Sequence, residues 1–248
     1  MENQIRLQID HIEVFAGGKQ FGEAGAYERL DGIVHYAVSP DDAAQSGIVD
    51  LGHAPRNADG LVEFAADVCI LKPVDTQRGN HRLFFGYGNR GNMRELQFFN
   101  DAVASNRPTS LEHAGNGFLL RRGYTLVWAG WEGDLLPGNG RLRLHAPTAT
   151  EDGKPITGVL RTEFVIDARD ATFFPLSGQT AAISYPTASM DTTTARLTRR
   201  RYTDSEREVI PAETWQFARV DAGEGRDGQG GEVSVIASDQ HIHLAGGF

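Results

Sequence analysis

Between His81 and Ala129 the chain runs from a short apolar segment through a glycine turn and a helix into a second apolar segment. This order constrains the fold more than any other feature of the sequence. Leu83-Phe84-Phe85 has the length and character of a buried strand. Gly86-Tyr87-Gly88-Asn89-Arg90-Gly91-Asn92 is a turn. Met93 to Ala104 places Leu96, Phe99 and Val103 at helical spacing, with Asn92 and Glu95 arranged as a capping box. Asn116 to Arg122 reads as a second short helix stopped by Gly123. Tyr124 to Ala129 is again a strand. Strand, helix and strand in this order predict a βαβ unit with parallel pairing.

Upstream, apolar and polar residues alternate over Ile5–Phe15 and Tyr27–Val38, and Leu61–Leu71 is a third strand candidate closed by Lys72-Pro73. Downstream of about Leu135 helical periodicity is absent, and Pro and Gly punctuate short runs. Val233 to Ala237 is a last strand candidate. The chain holds 29 glycines in 248 residues, about 12% against a usual ~7%, which implies many turns and close backbone approaches.

A formal charge of −9 argues against the general phosphate attraction on which nucleic-acid binding rests. Arg196, Arg199, Arg200, Arg201 and Arg207 are a local exception, either a solvated strand face or a patch for an anionic partner. No apolar run approaches the ~20 residues of a membrane helix, and the N-terminus lacks a charged-then-apolar leader pattern. The expected location is cytoplasmic. Cys69, the one cysteine, lies in an apolar run and reads as a small buried hydrophobe.

Gly86-x-Gly88-x-x-Gly91 has the spacing and the strand-to-helix context of a dinucleotide fingerprint. It lacks an acidic residue about 20 residues on for a ribose. None of the ten serines has glycine two before and two after it, as a nucleophile elbow requires; Ser46 and Ser177 come nearest. His241-x-His243 puts two rings on one strand face without a third ligand nearby. Trp128, Trp131, Glu132 and Asp134 follow a strand, either as a packed corner or as the wall of a ligand pocket.

Five motifs together carry a family resemblance: Gly22-x-x-Gly25-x-Tyr27-Glu28; Ala54-Pro55-Arg56-Asn57-x-x-Gly60-x-Val62-Glu63; Asn89-Arg90-Gly91-Asn92; Ala114-Gly115-Asn116-Gly117-Phe118-Leu119; and Arg122-Gly123-Tyr124-x-x-Val127-Trp128-x-Gly130-Trp131-x-Gly133-Asp134. In order and spacing they resemble the bacterial proteins called alpha/beta hydrolase domain-containing proteins, along nearly the whole chain. Many members carry Gln where this chain has Glu132.

The resemblance implies an α/β fold: an incomplete α/β-hydrolase-type sheet, made of N-terminal strands and one βαβ unit, with a mostly β insertion. Residues 1–134 would hold the strands and the βαβ unit, 135–231 the β-rich insertion, and 232–248 a strand returning toward a C-terminal half. Members of the family are longer, so the nucleophile, acid and catalytic histidine are expected beyond this chain. Asn89, Arg90 and Gly91 would then be the oxyanion-hole loop of a serine-dependent ester hydrolase. Trp128, Trp131, Glu132 and Asp134 would line its pocket. No cofactor is implied, and the expected partner is a small ester. The segment Leu83–Gly86 would be an apolar sheet edge open to self-association. The competing readings are a non-catalytic ligand-binding or structural β-rich module and, more remotely, a nucleotide site at the Gly86 turn.

Overall fold

The computed structural model describes residues 3–166, 171–177, 185–226 and 232–244. The protein is mixed α/β, rich in sheet with few helices. It divides into two compact units, Met1–Ile156 and Thr157–Phe248.

The first unit is built on three long strands, β1 (Gln4–Val14), β2 (Tyr27–Val38) and β3 (Val62–Pro73). Each pairs antiparallel with the next. The βαβ unit follows: β4 (Leu83–Gly86), three short helices α1 (Glu95–Asn100), α2 (Leu111–Ala114) and α3 (Phe118–Arg121), then β5 (Thr125–Ala129). Strands β4 and β5 pair in parallel, and β5 joins the meander antiparallel to β3. The resulting order is β1-β2-β3-β5-β4. Where β5 ends, β6 (Leu144–His145) takes over the same edge of β3 at Ala65 and Ala66. A small hairpin, β7 (Thr150–Glu151) and β8 (Lys154–Pro155), follows.

Strand register sorts the side chains into two faces. One face carries Leu71, Leu126 and Phe84 side by side, and the helices close over it. Its core includes Phe15, Tyr27, Leu96, Leu119, Leu120 and Trp128. The opposite face carries Ile12, Leu30, Ile70, Val127 and Phe85 in one row, one residue from each strand. The ends of that row are open: Ile12 is 57% and Phe85 50% exposed.

Two buried polar residues organise the helical layer. Arg29 is fully buried. It reaches Glu13 at 2.9 Å and Asp31 at 2.7 Å, and donates to the Pro108 carbonyl at 3.0 Å. Asn100 donates to the Ala114 carbonyl at 3.1 Å and accepts from the Leu119 N–H at 3.0 Å, joining the three helices. The Tyr27 hydroxyl lies 2.9 Å from the Leu120 carbonyl and 3.0 Å from that of Tyr124, which fastens β2 to the connection into β5.

The helix predicted over Met93–Ala104 is shorter, because Asp101 turns left-handed at φ 51° and ends it after Asn100. The predicted capping box at Asn92 does not form. Arg94 stands at the N-cap, and the Asn92 side chain folds back onto the carbonyls of Asn89 and Arg90. A capping box does form at Ser110 and His113 on α2.

The second unit holds β9 (Phe173–Pro175), β10 (Thr198–Arg199), β11 (Glu208–Val209), β12 (Trp215–Arg226) and β13 (Glu232–Leu244). Strands β12 and β13 form a long antiparallel ribbon, and β9 adds to β13. Ile210, Trp215, Phe217, Ile242 and Leu244 make its core. The arginine cluster is largely consumed inside this unit. Arg200 and Arg207 both hold the Glu163 carboxylate at 2.7 Å, and Arg199 pairs with Glu208. The arginine hydrogen bonds, Arg200 first, hold the Glu163 carboxyl below its usual range. The side chain of His241 lies outside the described residues. Burial lowers the pKa of His243.

Candidate functional site

The carboxyl ends of β4 and β5 lie side by side, because the strands are parallel, and each opens into a glycine-rich loop. In parallel sheets such neighbouring loops are where ligands bind. Here they are residues 87–94 after β4 and 130–135 after β5. The two predicted groups of site residues are thus brought together.

The loops are fastened to each other. Arg90 Nη1 lies 3.0 and 3.2 Å from the two Asp134 carboxylate oxygens and 3.6 Å from Glu132 Oε2. Trp131 Nε1 donates to the Gly88 carbonyl at 2.7 Å, and its ring stacks on Tyr87. The far side of the first loop is anchored as well: Gly91 O accepts from Leu142 N at 2.9 Å. Asn106 holds Asn92 and the Met93 N–H. Arg90 therefore acts as a clamp, and its charge is offset by two carboxylates.

Of the predicted pocket residues, Trp128 lies deepest. It is buried on the helical face, and its indole N–H is bonded to the Glu95 carboxylate. The packed-corner reading describes Trp128, while Trp131 stands at the surface.

The first loop holds an unusual set of donors. Among the described residues, no acceptor receives the backbone N–H of Gly88, Asn89, Arg90 or Gly91. Arg90 and Gly91 are both left-handed, at φ 54° and 72°. Successive N–H groups in turns of this kind form concavities that receive an oxygen with negative charge. Gly91 is buried, Gly88 and Arg90 are half-buried and Asn89 is exposed; a buried N–H without a partner costs free energy.

The fingerprint glycines have internal reasons. A Cβ at Gly86 would stand 2.3 Å from the Trp128 ring, one at Gly88 2.5 Å from the Asn92 carbonyl oxygen, and one at Gly91 2.4 Å from that of Leu142. The glycine spacing thus follows from close packing of this chain on itself, and a bound pyrophosphate is not needed to explain it. The Glu95 carboxylate also opens α1, where a nucleotide site would want the first turn clear of negative charge.

Sequence reading missed Asp67 and His145. His145 Nε2 lies 2.8 Å from Asp67 Oδ1, and Asp67 Oδ2 accepts from Arg143 N at 2.9 Å. The pair marks the point where β5 gives way to β6 along β3. Residues 78 apart in sequence make it, so no local motif announces it. Among the described residues, no three His, Cys, Asp or Glu side chains are placed to hold a metal ion. Within the same residues, no helix is long and apolar enough to cross a membrane. In comparisons with protein-family models, curated proteins and solved structures, the chain matches none.

Proposed function

We propose that residues Gly88 to Gly91 form an oxyanion-binding loop, and that the chain is the oxyanion-bearing part of a serine-dependent ester hydrolase of the α/β type. The observation that carries this reading is the run of four backbone N–H groups without acceptors at the carboxyl end of a parallel strand. Donors fixed before the substrate arrives stabilise the charge that develops on a carbonyl oxygen during acyl transfer. The charge balance supports a neutral carbonyl over a phosphate. Arg90 is matched against both Asp134 and Glu132, so its own charge is offset at the loop. Asn89, Arg90 and Gly91 supply donors, and Arg90 also holds the loop in place.

The chain contains no Gly-x-Ser-x-Gly elbow, so this reading assigns it no nucleophile. The purified chain is expected neither to turn over short p-nitrophenyl esters nor to take up a fluorophosphonate label. Turnover with a labelled serine would overturn that assignment. A second reading, a module that binds a ligand without turnover, is favoured by the exposed Tyr87–Trp131 stack. Saturable ligand binding by a chain that stays inactive with any added partner supports it.

A further inference from the structure

Tyr87 and Trp131 are stacked with ring centroids 5.1 Å apart and planes 23° apart. Even so, 72% of Tyr87 and 45% of Trp131 remain exposed. The Trp131 ring is held in place by its bond to the Gly88 carbonyl, so its orientation is set before any ligand arrives. That bond also uses the only donor of the indole. Apart from the Tyr87 hydroxyl, what remains on offer is flat ring surface, which suits an aryl ring. Gly88, the acceptor of that bond, is also the first of the four residues with an unpaired N–H. A ring on the aromatic pair and an oxygen on the loop would therefore belong to one small molecule.

We infer that Tyr87 and Trp131 form a platform for an aryl ring whose attached neutral carbonyl points its oxygen at the Gly88–Gly91 amides, which makes uncharged aryl esters the substrate class. The inference rests on the oxyanion-loop reading for the carbonyl, and on the aromatic pair alone for the ring.

The test uses the purified chain, with benzamide and acetamide as stable neutral probes followed by amide and indole nitrogen–proton NMR. The chain has three tryptophans; the Trp131 indole signal is the one lost in Trp131→Phe. Benzamide should bind roughly tenfold more tightly than acetamide, the size of a stacking contact. It should shift the Trp131 indole together with the Gly88–Gly91 amides. Trp131→Ala should abolish the preference. So should Tyr87→Ser, at an exposed position where the fold does not depend on the ring.

Equal affinity for the two probes, or a preference that survives both substitutions, overturns the platform and leaves the oxyanion loop standing if its amides still move. Movement of the indole without the amides overturns the loop and keeps the ring contact. If neither moves, both assignments fall.

Discussion

A methyl group at Gly86 would stand 2.3 Å from the Trp128 ring and 2.7 Å from the Glu95 carboxyl carbon. Gly86→Ala is therefore expected to cost about 1–3 kcal/mol by overpacking. Gly47→Ala, with nothing within 4 Å of the new atom, should change stability by less than about 0.5 kcal/mol. Denaturant unfolding of the two variants checks the contrast. Arg29 is buried against Glu13, Asp31 and the Pro108 carbonyl. Replacing it with methionine leaves Asp31 and the Pro108 carbonyl without their donor and Glu13 without its ion-pair partner, and should cost about 3 kcal/mol or more in the same measurement. Cys69 is buried, and burial, helped by Asp31, pushes its thiol pKa up. Because the thiolate is the reactive form, a disulfide reagent at pH 8 should leave Cys69 untouched in the native protein and modify it fully in denaturant. Rapid native labelling would contradict the packing around it.

Among the elements, β13 gives a pH-dependent expectation. Burial lowers the folded-state pKa of His243 below its ordinary value near 6.5. Its contribution to stability is present above that value and is lost as the pH falls toward and through the lower folded-state value. The fall in Tm between pH 7.5 and 5 should be smaller in His243→Gln than in the parent; equal falls would contradict it. The period of two follows burial in β5, where Leu126 and Trp128 are buried and their neighbours half-buried; β1 alternates in sequence although Ile5 and Leu7 stay exposed. Alternation marks β2 at Tyr27–Val38, the limits the structure gives. The ribbon strand β12 was missed for a physical reason. Its pairing with β13 shifts between Ala218 and Arg219 and again between Asp221 and Gly225, and such bulges break the period. The helices were overextended because apolar spacing continues through Val103, while Asn100 spends its polar groups on the neighbouring helices and Asp101 turns away. The β4 loop was visible through its glycine spacing. Its unpaired amides were not, since hydrogen-bond partners are a property of the fold.

For the whole molecule, the open edge of the first unit's sheet gives an expectation for behaviour in solution. Among the described residues, β4 has a strand neighbour on one side only, and Leu83 is 62% exposed along it. The row Ile12, Leu30, Ile70, Val127 and Phe85 adds an apolar band across the face opposite the helices. Open apolar edges invite pairing, so the purified chain should self-associate with rising concentration in sedimentation velocity. Phe85→Lys, on the edge strand, should shift it toward monomer. A stable monomer in the parent at high concentration would contradict this use of the edge.

The four N–H groups of Gly88–Gly91 carry the proposed oxyanion site, and their backbone amide shifts test it most directly. Titration with methyl benzoate should move these four amides in a saturable way, and inorganic pyrophosphate should leave them in place. Amides that answer to pyrophosphate, or to neither compound, would contradict a loop shaped for a carbonyl oxygen.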